Sequence, residues 1–315
     1  MRCLTWSLVL ASGFAATLAG CVVDGIVADR VPMDSSFRVP ATLNGTPVRM
    51  WVDTGSQTTV VSLETAQRAE LLRNATAIEI TDSTGVLRPA EATVDIALKL
   101  GATMFLGSAI CLRAPGSLGD GVIGMHVLCE GAWLFDAPGR ALHMTPADDA
   151  EGLVADQGWR VTERLRLGPD EWRPTVTVRL ENQHDVTLLL DTGAGSTSLP
   201  ADAVDELALP SGTDLAKVRA DERAAAITEQ MKRQGVEVKD VTVTPDDGRS
   251  IGVHGVGEQR SLHHLRRLTL GSRVFEDLLV TRSNSGEGLL GRDVLGKCVW
   301  LLHGPRREIW LLAKR

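Results

Sequence analysis

The sequence predicts an all-β protein of two similar closed β lobes, six to seven strands each, with pseudo-twofold symmetry and few short helices. Three observations predict it. A segment around residue 53 returns around residue 191. Glycine is abundant, at 31 residues, while helical periodicity is scarce, which favours short strands and turns. Each copy closes on a hairpin with a Pro/Gly turn. A chain of 315 residues can hold one large domain or two of ordinary size. Apolar content of 43 % and charged content of 23 % are those of a globular protein. The net charge of -7 gives no electrostatic basis for nucleic-acid binding and is too small to imply disorder.

Residues 1–20 read as a secretory signal peptide. Arg2 forms a basic start, and Leu4 to Leu18 an apolar stretch too short for a membrane span. Leu18-Ala19-Gly20-Cys21 resembles a bacterial lipobox, which implies lipid attachment at Cys21 and a lipidated tether over 21–35. An ordinary cleaved signal or an uncleaved anchor is the alternative. Val22 after the cysteine leans to the outer membrane, periplasmic side. Cys111, Cys129 and Cys298 would remain in the mature chain. One Cys111–Cys129 bridge or three buried thiols both fit. No Cys-x-x-Cys or His-rich spacing occurs, so neither metal nor cofactor is expected.

The repeat orders the rest of the chain. Trp51-Val52-Asp53-Thr54-Gly55-Ser56 returns as Leu189-Leu190-Asp191-Thr192-Gly193-Ala194, at an offset of 138 (191 − 53). Asn44-Gly45 signals a two-residue hairpin, and Val176, Val178 and Leu180 mark a half-buried strand. Downstream, Gly121-Val122-Ile123-Gly124 returns as Gly288-Leu289-Leu290-Gly291, now offset by 167 (291 − 124). The second copy therefore gains 29 residues (167 − 138). Asp214 to Gln234, charged and alanine-rich, is a candidate source and reads as a solvated surface helix with no assigned chemistry. Hairpins near 133–144 and 299–311 end the copies. The lobes are placed at 36–145 and 173–315, joined by a polar linker over 146–172.

Two such motifs, each after an apolar strand and each followed by Gly-apolar-apolar-Gly, resemble the aspartic proteases of the pepsin and retropepsin group. The resemblance covers about residues 36–145 and 173–315, and it implies an acid-protease fold. It makes Asp53 and Asp191 the catalytic pair, supported by Thr54, Gly55, Ser56, Thr192 and Gly193. Carboxyls a few ångströms apart cannot both ionise cheaply, so they share one proton. The ionised member can activate water, and the protonated member can bond the scissile carbonyl. The resemblance further implies threonine hydroxyls bonded across the lobe interface and Ser56 orienting Asp53. Substrate, a peptide or protein segment, would lie in the inter-lobe cleft under two flaps, with tips at Gly85 and at Gly252 and Gly255. One chain carries both acids, so a monomer suffices.

The sequence departs from that family in lacking tyrosine, hence the flap Tyr of the pepsin-like members. His126 also stands where the second copy has Asp293, and reads as a helix-start residue or a buried imidazole. Two other readings remain: a catalytically inactive lipoprotein that binds peptides in the cleft, and a purely structural lipoprotein. Glycosidase chemistry also uses two carboxyls, but an aromatic content of 4 % supplies no sugar platform. No Gly-x-Ser-x-Gly motif occurs.

Overall fold

The computed structural model describes residues 4–8, 16–23, 25–81, 87–112, 119–170, 172–234, 243, 249–252, 255–259, 261–283 and 286–315. Two six-stranded rings dominate it. In the first, Arg38–Leu43 pairs with Thr46–Val52, which runs parallel to Gly121–Ile123. The ring continues through Val60–Ser62, Thr103–Leu112 and Leu87–Leu100, and closes back on Arg38–Leu43. The second follows the same order: Thr175–Leu180, His184–Leu190, Gly288–Leu290, Ser198–Pro200, Arg273–Ser283 and Leu262–Leu270. The predicted pair of closed lobes is thus the observed fold.

Local chemistry explains the hairpins. Asn44 and Gly45 both take positive φ, 46° and 80°, as a two-residue turn between twisted strands requires. Alternation then sets the strand faces. Val176, Val178 and Leu180 point into the second barrel, while Thr177 and Arg179 face solvent.

The two terminal hairpins do not stay within their lobes. They join in one six-stranded sheet, ordered Trp159–Arg166, Glu308–Lys314, Val299–His303, Ala132–Asp136, Ala141–Thr145 and Asp29–Pro32. At its centre Ala132–Asp136 pairs antiparallel with Val299–His303, and Leu134 opposes Leu301. Phe135 stacks on Trp300 with ring centroids 4.0 Å apart. Trp133, Phe135, Trp300 and Leu302 face the main core. On the opposite face, Leu134, Leu301 and Trp310 pack with Ala150 and Val154. Burial on both faces explains why these strands are apolar throughout rather than alternating.

This sheet revises the expected boundaries. The stretch 146–172 holds a helix, Ala150–Asp156, and the edge strand Trp159–Arg166. Ala150 and Val154, one turn apart, give that helix an apolar face for the sheet. The stretch assigned to a tether contributes Asp29–Pro32, paired with Ala141–Met144. The backbone of Leu4–Leu8 pairs with Ala16–Gly20, and Cys21–Val23 pairs with Met104–Leu106. Cys111 is a free buried thiol, so no Cys111–Cys129 bridge forms. Most of the 29-residue gain is a helix of 21 residues, Thr213–Arg233, seated through buried Ala216 and Ala220. Among the described residues no helix is long and apolar enough to cross a membrane.

Candidate active site

Each barrel delivers its acid in the same way. The strands Thr46–Val52 and His184–Leu190 end in buried apolar residues, and the next residues are Asp53 and Asp191. The chain then turns so that Thr54 and Thr192, both fully buried, cross over. The Thr54 hydroxyl donates to the Leu190 carbonyl at 2.6 Å, and the Thr192 hydroxyl to the Val52 carbonyl at 2.6 Å. The backbone N–H of Thr54 donates to Thr192 Oγ1 at 3.0 Å, and that of Thr192 to Thr54 Oγ1 at 3.1 Å. Four reciprocal bonds therefore tie lobe to lobe. Each contributes about 1 kcal/mol net, and each buried polar atom left unpaired would cost about 1–3 kcal/mol.

This crossing brings the carboxyls of Asp53 and Asp191 within hydrogen-bonding reach of one another. Asp53 Oδ1 accepts from the Gly55 N–H at 2.8 Å and, across the interface, from the Gly193 N–H at 3.2 Å. Asp191 Oδ1 accepts from the Ala194 N–H at 2.9 Å. Only glycine fits at 55 and 193. A Cβ on Gly55 would lie 2.5 Å from Asp191 Cγ, and one on Gly193 2.5 Å from Asp53 Cγ.

Burial first, then the neighbouring Asp191 charge, pushes Asp53 up to about 8, against the pull of the Gly55 and Gly193 amides. Burial also raises Asp191, opposed by the Ala194 N–H, the hydrogen bond with Asp53 and the Arg292 charge. Both carboxyls are thus held towards their protonated form, and the charge of each makes the ionisation of the other harder.

The residues around the pair make the following contacts. Ser56 does not orient Asp53. Its hydroxyl donates to the Thr58 carbonyl at 2.8 Å, because Asp53 Oδ1 is already served by two amides. Gly124 and Gly291 lie directly beneath the acid loops: a Cβ there would meet Thr58 O at 2.3 Å and Ser196 C at 2.5 Å. The Met125 N–H donates to Ser56 O at 2.8 Å, and the Arg292 N–H to Ala194 O at 3.0 Å. His126 lies 3.3 Å from the Thr59 hydroxyl, where the second lobe has Thr197 donating to Asp293 at 2.8 Å. Burial lowers the His126 pKa to about 4, so it is a neutral buried imidazole.

Gly85 and His254 lie outside the described residues. The hairpin arms that would carry Gly85 are in place, with Thr81 opposite Leu87. Gly252 pairs with Gly255 across the hairpin Arg249–Gly252 and Gly255–Gln259. Cys21 opposes Leu106 on the backbone.

One residue of the site escaped the sequence reading. The Arg292 guanidinium donates to the carbonyls of Thr192 at 3.1 Å and Gly193 at 3.0 Å. It also sits 4.6 Å from the Trp51 ring centre, and Arg38 sits 4.4 Å from the same ring. The signal was present in the repeat itself, where Arg292 aligns with an apolar Met125.

The comparison with known families bears on the first of these loops. A family model described as aspartyl protease matches residues 39–127. That span begins in the first barrel strand, contains Asp53 and ends two residues past Met125. It points to hydrolysis by an aspartic protease, and it stops short of Asp191. No curated protein matches the chain. The second lobe reads instead through its geometry, which repeats the strand order, the threonine crossing and the glycine contacts of the matched one. Among the described residues no cluster of His, Cys, Asp or Glu is arranged to hold a metal ion.

Proposed function

We propose that the chain is an aspartic endopeptidase that hydrolyses peptide bonds with a water activated between Asp53 and Asp191. The observation that carries this reading is the pair of carboxyls held face to face by reciprocal Thr54 and Thr192 bonds, both pushed towards their protonated form. The ionised carboxylate takes a proton from water as the oxygen attacks the scissile carbonyl carbon. The protonated partner donates a hydrogen bond to the developing oxyanion. As the tetrahedral intermediate collapses, the C–N bond breaks and a proton from the dyad passes to the departing amine.

We place the enzyme in the cell envelope as a monomer, held to a membrane by lipid on Cys21, on the strength of the leader and its Leu-Ala-Gly-Cys ending. Incorporation of labelled fatty acid, lost in Cys21→Ser, checks the anchor. The catalytic test is digestion of a peptide library by residues 22–315. Asp53→Asn and Asp191→Asn should each lower turnover at least 10²–10⁴-fold, the usual order for loss of an acid–base group, and leave the fold intact. A statine-type inhibitor should block the parent protein. Peptide binding without cleavage products would instead show the inactive peptide-binding lipoprotein, and unchanged turnover in either variant would rule the proposed mechanism out.

A further inference from the structure

The second lobe carries a concavity. It lies between the inserted helix Thr213–Arg233 and the barrel, with a cavity volume of about 190 Å³. One wall is Gly195 and Ser196, which continue the loop that carries Asp191. The other walls bring three cations, Arg219 and Arg223 from the helix and Lys297 from beyond the second Gly-Leu-Leu-Gly segment. The single acid among the lining residues is Asp293, whose carboxyl accepts from the Thr197 hydroxyl at 2.8 Å and is held towards its neutral form by burial.

Charge, size and rigidity all point to one kind of ligand. Three cations around a concave surface focus a positive field, against one lining acid. Arg223 and Lys297 enter no ion pair among the described residues. Asp277, which could have compensated, is paired with His264 at 3.0 Å. The volume is below the roughly 300–1,000 Å³ of pockets that take whole drug-sized ligands, so it suits one charged group on a narrow stem. The helix and the first of its arginines are also held in place. Buried Ala216 and Ala220 seat the helix, and the Arg219 guanidinium is bonded to the Asp277 carbonyl. An arginine pair one turn apart presents several N–H donors to a planar or tetrahedral anion.

We propose that this cavity binds one anionic group, a carboxylate or a phosphate, against the loop that positions Asp191. The group could be an acidic side chain of a peptide in the cleft or a free anion. The first source rests on the peptidase reading; the anion site itself does not. The site also belongs to one lobe only, because the helix that supplies two of its three cations has no counterpart in the first.

Inorganic phosphate is the probe. With the protein ¹⁵N-labelled and ionic strength held constant with chloride, phosphate should shift the amides of Gly195, Ser196 and Arg219 to Arg223 saturably. The variants Arg223→Glu and Lys297→Glu change exposed side chains, so the fold should be kept. Each should weaken phosphate about tenfold or more, equivalent to about 1.4 kcal/mol. No saturable shift at these amides, or equal affinity in the variants, overturns the proposal. Peptides differing only in Glu or Gln near the scissile bond identify the source. A KM advantage for Glu that Arg223→Glu abolishes assigns the site to substrate, and phosphate binding without such an advantage assigns it to a free anion. If the parent protein cleaves no peptide, the hydrolytic reading fails while the phosphate titration still decides the anion site.

Discussion

A carboxylic acid that must hold a proton at neutral pH needs a reason, and Asp53 has two: burial and a second carboxylate. Cleavage requires the pair to carry one proton. It should therefore fall as pH rises through about 8, where the last proton leaves, and fall again in acid as the second proton arrives. Arg292 sets where that window lies. Its charge interacts favourably with Asp53, Asp191 and Asp34 and unfavourably with Arg38. A nearby cation favours ionised carboxyls, so Arg292→Met should move both limbs of the kcat/KM profile to higher pH. Arg292→Lys keeps the charge and should return the limbs, but not the full kcat, since an ammonium loses the planar guanidinium's stacking over the Trp51 ring. Limbs that stay put in Arg292→Met would reduce this arginine to packing. None of this was legible in the local sequence around residue 292. The two carbonyls it holds lie 99 and 100 residues away, and no periodicity reports such a contact.

The short helices below the acid loops look alike but titrate in opposite directions. Met125–Leu128 carries His126, and Arg292–Leu295 carries Asp293. Unfolded, the His126 ring takes a proton near 6.5; folded, it does so only near 4. The unfolded chain thus binds more protons between those values, and acidification favours unfolding. His126 contributes its stability above pH 6.5 and loses it as pH falls to about 4, at most about 3 kcal/mol by linkage. Denaturant unfolding of the parent protein and His126→Gln at pH 7 and pH 4.5 isolates this contribution, because the other titrating groups cancel in the difference. An equal pH dependence in both proteins would count against it. At this scale the sequence was informative. The Asp-Thr-Gly pair, both Gly-apolar-apolar-Gly strands, the Asn44-Gly45 turn and the helix from Thr213 all stand near where local chemistry places them. It was silent on Asp29–Pro32 and on Trp159–Arg166. Each is an edge strand specified by the neighbour it pairs with, and that neighbour is distant in the chain.

Across the whole molecule, the threonine crossing and the shared sheet both join the lobes. The sheet register carries its own symmetry. Leu134 opposes Leu301, residues separated by the same 167 positions (301 − 134) as the matched glycines, so the pseudo-twofold axis passes through that pair. Ala132–Asp136 is therefore complementary to a second copy of itself. Cut from its partner, residues 25–145 would expose an apolar edge that pairs readily with its own kind. This fragment should sediment as a dimer, and Leu134→Lys should return it to a monomer; a parent fragment monomeric at high micromolar concentration would contradict the register argument. The terminal hairpins were legible as hairpins. Their union was not, because Ala132-Trp133-Leu134-Phe135 and Val299-Trp300-Leu301-Leu302 say only that both faces are covered, not by what.

A further consequence follows from the helix Thr213–Arg233 having no twin. A peptide has a direction, from its amino to its carboxyl end, and a groove with true twofold symmetry would accept either orientation equally. In the proposed peptidase, Arg219, Arg223 and Arg292 on one side alone would break that indifference. Whatever threads the groove would be read in a single sense, as a sentence is.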